Sequence, residues 1–115
     1  MREISYSPES RQDLLEIKRE VSGEFGDDIA KKVLGKITKT IRTLGIHEEM
    51  GTELSKKYGI SCDYRLFYTQ KNYVFYRIEK EYIRIIRVLN EKRDFMQVLF
   101  GIRTTTDETE EYWNE

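Results

Sequence analysis

Residues 62–101, CDYRLFYTQKNYVFYRIEKEYIRIIRVLNEKRDFMQVLFG from Cys62 to Gly101, decide the fold. Tyr, Phe, Val, Ile and Arg dominate the stretch, and these side chains suit a pleated, half-buried surface. Two short polar breaks, Gln70-Lys71-Asn72 and Glu79-Lys80-Glu81, divide it into three strand-like runs. Each break is the right length to reverse the chain between antiparallel neighbours. After Leu89 the polar group Asn90-Glu91-Lys92-Arg93 ends the last run. Asp94 then opens a helix carrying Phe95, Val98, Leu99 and Ile102. The stretch reads as a three-stranded meander followed by a short helix.

Upstream, Glu3 to Tyr6 is a short strand, and Ser7-Pro8 is a helix start with Ser as cap and Pro in the first turn. Leu14, Ile17 and Val21 recur at helical spacing, so this helix is expected to reach about Ser22. Gly23 and Gly26 break it around Phe25. Asp27 is then placed to cap a second helix bearing Ile29, Val33, Ile37, Ile41 and Leu44, with Gly45 as its stop. Helices joined by so short a link pack as an antiparallel hairpin. Residues 46–61 lack a steady period and read as a loop with room for a helical turn. The order is βααβββα. The fold is α+β, one small antiparallel sheet with a two-helix hairpin on one face and a short C-terminal helix.

Alternation sets the faces of the meander. Val74, Tyr76 and Ile78 oppose Tyr73, Phe75 and Arg77, and Ile83, Ile85, Arg87 and Leu89 oppose Tyr82, Arg84, Ile86 and Val88. One face takes the hairpin. The other mixes apolar and cationic residues, which suits a partner surface better than open water.

Composition narrows the rest. With 115 residues there is room for one domain, and 36% charged residues at a mean hydropathy of −0.69 leave a small core. A single cysteine, Cys62, excludes an internal disulfide and reads as a half-buried strand residue. No apolar run approaches a membrane span and the start lacks a signal-peptide core, so the expected location is cytoplasmic. Cys62 and the lone His47 cannot form a metal site, and no glycine-rich phosphate loop is present, so neither metal nor cofactor is expected. The net charge of −1 conceals an asymmetry. Residues 107–115 hold five acids and no base, leaving a body of 16 acids against 20 bases. Residues 56–93 carry ten bases and four acids. Such a face attracts a polyanion or an acidic partner, or else keeps sheet edges soluble. Residues 1–103 are therefore expected to form the domain and 104–115 a flexible acidic tail. The tail's Tyr112-Trp113 leaves open a fold-back onto the basic face.

The element order, the opening YSPES, Tyr76-Arg77, Arg87-Val88-Leu89, Arg93-Asp94 and Leu99-Phe100-Gly101 together resemble the RelE/ParE superfamily of bacterial type II toxins. The resemblance covers roughly residues 3–102. It implies a growth-arresting toxin and a cognate antitoxin that wraps it, laying a helix beside the hairpin and reaching the arginines with acidic residues. It implies either of two targets. A RelE-like branch cuts mRNA on the ribosome as a metal-independent endoribonuclease, and a ParE-like branch poisons DNA gyrase.

Metal-free RNA cleavage needs a group to activate the 2′-hydroxyl, charge stabilisation for the phosphorane and an acid for the leaving oxygen. Arg77, Arg87 and Arg93 are the leading candidates for phosphate or target contacts, with Tyr76 a weaker catalytic candidate. Lys56, Lys57, Arg65 and Arg84 are candidate binding residues. Where many relatives carry His after the RVL triplet, this chain has Asn90, which cannot exchange protons. His47 reads as an exposed loop residue. Tyr68 and Tyr73 read as packing. With no proton-transfer pair assigned, the RVL…RD text favours the ParE-like branch. An inert, antitoxin-binding relative is the third reading.

Overall fold

The computed structural model describes residues 1–101. Strand β1 (Glu3–Tyr6) runs directly into helix α1 (Pro8–Phe25). Ser7 is extended there, and its hydroxyl accepts from the Ser10 N–H at 3.0 Å while Pro8 fills the first turn. The cap thus meets an orphan amide and the proline has none to lose. α1 runs past the expected Ser22 to Phe25, because Gly23 sits within the helix in open space and only Gly26, at φ 93°, breaks the chain. Helix α2 (Asp27–Thr43) starts from Gly26, which takes the cap position without a side-chain hydrogen bond. Asp27 is therefore the first helical residue rather than the cap, and its charge sits at the positive end of the helix dipole. Nor is Gly45 the stop, since α2 ends at Thr43 with Leu44 as its cap. Gly45 instead permits close approach: a Cβ there would stand 2.7 Å from the Arg2 carbonyl oxygen.

β3 (Arg65–Thr69), β4 (Asn72–Ile78) and β5 (Tyr82–Asn90) form the expected antiparallel meander. The β3–β4 reversal uses Gln70 and Lys71, both at positive φ (51° and 63°). This primed two-residue geometry matches strand twist, and the chain adopts it without the Asn-Gly that usually signals it. The stretch read as a loop contains a two-residue strand, β2 (Thr52–Glu53), and a short helix, α3 (Leu54–Tyr58). The full sheet has the order β1-β5-β4-β3-β2. β1 lies parallel to β5, so this one edge departs from the antiparallel pattern.

β5 breaks its alternation once. Phe75 pairs with Arg87 and Tyr76 with Ile85, which leaves Ile86 as an extra residue. Residues beyond such a bulge change sides. Val88 joins Ile83 and Ile85 under the hairpin, whereas Leu89 lies on the opposite face with Ile86. The expected grouping of Ile83, Ile85, Arg87 and Leu89 on one side is corrected by this bulge.

Two cores result. Under the hairpin, Ile37, Ile41 and Leu44 of the α2 segment pack on Val74, Tyr76, Ile83 and Ile85, all fully buried. On the far face, Leu54, Leu66, Phe75 and Leu89 are covered by helix α4 (Phe95–Phe100), which Asp94 caps as expected. Phe95 sits 5.1 Å from the Phe75 ring and 5.6 Å from Tyr73. The apolar part of that face is thus closed by α3 and α4 rather than left open for a partner. No helix among the described residues is long and apolar enough to cross a membrane. The 104–115 tail lies outside the described residues.

Gly51 passes so close to β3 and β4 that an added Cβ would meet the Leu66 carbonyl oxygen and the Tyr76 ring and hydroxyl, each at 2.7 Å. Gly51→Ala is expected to lower stability by about 1–3 kcal/mol, the usual cost of overpacking. Gly35→Ala, inside α2 with nothing within 4 Å, is expected to raise it by about 0.5–1 kcal/mol. Urea midpoints of the two variants should move in opposite directions.

Candidate functional site

The arginines singled out from the sequence occupy separate places. Arg77 and Arg84 face each other across β4 and β5, where like charges repel. Glu79 stands between them. Its Oε2 accepts from Arg77 Nη2 at 2.8 Å and its Oε1 lies 3.7 Å from Arg84 Nε. The Glu79 hydrogen bond holds the Arg77 guanidinium above its ordinary pKa. Both arginine side chains remain about a third exposed (36% and 35%), so this trio faces water with one positive charge in excess.

A second trio has the same logic. Glu53 Oε2 lies 2.8 Å from Lys56 Nζ, and Glu53 Oε1 lies 3.2 Å from Arg65 Nη1. The Lys56 hydrogen bond, then the charges of Lys56 and Arg65, hold the Glu53 carboxyl below its ordinary pKa. Lys56 sits on α3 and is largely exposed, and the Lys57 ammonium lies 5.6 Å from the Tyr58 ring. Beside this trio, Cys62 is half-buried in the segment leading to β3, not within a strand.

Arg87 belongs elsewhere. β1 stops pairing at Tyr6 opposite Ile85, and beyond that point the edge of β5 is open. Ser7 and Asp13 close it. Ser7 N–H donates to the Ile85 carbonyl at 2.9 Å and its hydroxyl donates to Ile86 O at 2.8 Å. Asp13 then accepts the Val88 N–H at 2.9 Å and receives Arg87 in a fork, Nε to Oδ2 at 2.7 Å and Nη2 to Oδ1 at 2.8 Å. Asp13 is 4% exposed, and its hydrogen bonds hold Arg87 above the ordinary guanidinium pKa. Sequence reasoning missed Asp13, although Ser10, Asp13 and Ile17 share one buried stripe at helical spacing.

Arg93 stands apart again, exposed in the turn before α4, and enters no ion pair among the described residues. Tyr76 is fully buried. Its hydroxyl donates to Glu48 O at 2.8 Å and accepts from Gly51 N–H at 2.8 Å, fastening the 48–51 segment to the sheet. Burial raises its pKa. Tyr68 donates to Glu91 at 2.7 Å, and His47 is exposed in the loop beside Met1 and Arg2. The structure therefore brings Arg77 together with Arg84, and Arg65 with Lys56. It does not bring Arg77, Arg87 and Arg93 together.

This arrangement has known counterparts. The sequence model of the family described as ParE toxin of type II toxin-antitoxin system, parDE, matches residues 4–95, from β1 to the first residue of α4. The chain belongs to the ParE toxin family. It is the toxin component of a type II toxin-antitoxin module. Among solved structures, it is similar in fold to a chain of the chromosomal ParDE system from P. aeruginosa, at a TM-score of 0.67 and 16% identity. That match covers 78% of this ParE-family toxin and 96% of the other chain. A comparison with curated proteins finds no match.

Two outcomes follow for the toxin's stability. Asp13→Ala strips the fork from Arg87 and the acceptor from Val88. Its expected cost is about 3–5 kcal/mol, as for other broken buried pairs, read as a large drop in the urea midpoint. Tyr76 carries a pH signature. A phenol raised above its usual value near 10 contributes stability that is full below that pH and is lost as pH climbs through the folded-state value. Between pH 8 and pH 10.5, stability of the wild type should therefore fall more steeply than that of Tyr76→Phe. Equal slopes would show that the Tyr76 hydroxyl is not held protonated by the fold.

Proposed function

We propose that this toxin arrests growth by binding DNA gyrase through the cationic end of its sheet, and that an antitoxin encoded with it neutralises it. The observation that carries this reading is that groups a metal-free nuclease needs free are already engaged. Tyr76 spends its hydroxyl on two backbone groups, and Arg87 spends its guanidinium on Asp13. Asn90, whose Oδ1 accepts from the Lys92 N–H at 3.0 Å, cannot exchange a proton. Arg87 and Tyr76 hold the fold in this reading.

Arg77, Arg84, Arg65 and Lys56 are different. Each pair of cations shares one carboxylate at the surface. Exposed ion pairs exchange partners readily, so an incoming acidic group can replace Glu79 at Arg77 and Arg84, or Glu53 at Lys56, at little cost, whereas Arg65, with its side chain 18% exposed and its Nε also donating to the Gly51 carbonyl at 3.3 Å, is held more firmly. Arginine's planar fork suits such recognition of carboxylate or phosphate. Lys57 adds a further exposed cation on α3 beside Lys56, whereas Arg93 lies at the other end of β5, beside Asn90.

Purified toxin should inhibit gyrase supercoiling, and induced cells should stop growing with intact mRNA. The double variant Arg77→Ala with Arg84→Ala should weaken inhibition about tenfold or more while its melting temperature barely moves, as for charges on an interface rim. Site-specific mRNA cuts that require ribosomes, seen by primer extension, would overturn the gyrase reading.

A further inference from the structure

We propose that the outward face of helix α2 binds the phosphate backbone of duplex DNA, so that this toxin meets gyrase on the DNA on which gyrase acts. The second clause deepens the gyrase reading and rests on it; the first stands on α2 itself. From Ile29 to His47 the chain carries Lys31, Lys32, Lys36, Lys39 and Arg42 and no acid. At 3.6 residues per turn these five fall within one arc of roughly 140°, opposite the fully buried Ala30, Ile37 and Ile41. They span about 16 Å of helix. All five are exposed, and none enters an ion pair among the described residues.

Few acids oppose the stripe. Of the acids on α2, only Asp28 shares the arc, in the first turn, and Asp27 beside it accepts from the Ser22 hydroxyl. Glu48 and Glu49 follow in the loop, where Glu48 pairs with Arg2. α1 packs along α2, and its acids are directed elsewhere. The charges of Glu9 and Glu16 act on Arg87 at the edge of β5, and Asp13 holds that arginine directly. Glu20 and Glu24 line the concavity between the hairpin and the β3–β4 turn, where Lys71, Glu91 and Lys92 also stand.

The chemistry of the stripe selects its occupant. Protein interfaces are built on aromatic anchors and are poor in lysine, whereas this face offers four lysines and no apolar anchor. A helix that lies on a membrane turns its apolar face into the lipid, but the apolar face of α2 is already spent on α1 and the sheet. Gly35 lies inside the arc with nothing within 4 Å of the position a Cβ would take, so a broad polymer can approach the helix closely. Duplex DNA carries one charge per about 1.7 Å of axis, so a stripe of this length meets more phosphates than it has cations. Such contacts are set by charge and are blind to base sequence.

The test is the fluorescence anisotropy of a labelled DNA duplex of about 20 base pairs, titrated with purified full-length toxin at salt concentrations from about 50 to 200 mM. Affinity should fall with salt at a log–log slope of about −4 to −5, as for five phosphate contacts. Lys32→Gln with Lys36→Gln and Lys39→Gln should weaken binding at least about tenfold at low salt and flatten the slope by about 2–3, and Arg at the same three positions should preserve both. Removing three exposed lysines outside α2, by Lys71→Gln with Lys80→Gln and Lys92→Gln, should change the affinity little. Wild-type toxin that leaves the duplex free would overturn the proposal. Equal losses in the two glutamine variants would also overturn it, by reducing the effect to net charge. Tighter binding to an RNA duplex of the same sequence, or to phosphatidylglycerol vesicles, would assign the stripe to another polyanion. Melting curves identify any variant that has failed to fold. The titration contains no gyrase, so toxin that leaves supercoiling untouched would defeat the gyrase reading while the DNA result still stood. Undiminished inhibition of gyrase by the Lys32, Lys36 and Lys39 glutamine variant would overturn the clause that places the toxin on gyrase's DNA.

Discussion

The Asp13 carboxylate is the constraint on which the arrangement depends. β1 is only four residues long and leaves the outer edge of the second half of β5, the edge away from β4, without a strand neighbour. An open strand edge exposes unpaired amides and invites pairing with other chains. Asp13 stands where the missing strand would continue, accepts the Val88 N–H and fixes Arg87 beside it. One side chain thus terminates the sheet, docks α1 on it and sets the position of the hairpin. The bulge at Ile86 belongs to the same device, because it moves Val88 under the hairpin where Asp13 can reach its amide.

The polar groups of this toxin divide by burial into those that build and those that can bind. Asp13 and Tyr76 are buried and fully employed, and Arg87 is held by one of them. Arg77, Arg84 and Lys56 keep partial access to water through shared carboxylates. The distinction matters because a desolvated pair is expensive to disturb, whereas a surface pair exchanges partners readily. This division supports the proposed reading, in which the molecule works by presenting a surface.

The fold was largely legible in the chain. Ser7-Pro8, the helical spacing of Ile17, Ile37 and Ile41, and the two polar breaks in the meander each reported a local preference that tertiary packing keeps. The departures share a cause: they depend on contacts distant in sequence. Nothing near Ile86 announces a bulge that is set by pairing with Phe75 and Tyr76. β2 is too short to carry a pattern and forms because Thr52 and Glu53 find β3. The candidate site was less legible for the same reason. RVL-x-x-x-RD reads as a cationic run, yet Arg87 is directed by an aspartate 74 residues earlier and Arg93 by a turn. Composition counts charges; only the partners decide which remain available.

The Asp13 clamp also has a temporal consequence. It joins residues 75 positions apart, and β1 pairs with a strand that begins at Tyr82. Contacts of such long range form late and slow the folding of small domains. On a translating ribosome, the hairpin can emerge and pack early, but the sheet edge cannot close until β5 has cleared the exit tunnel. The sheet edge and the surfaces that depend on it therefore form only after β5 has been made.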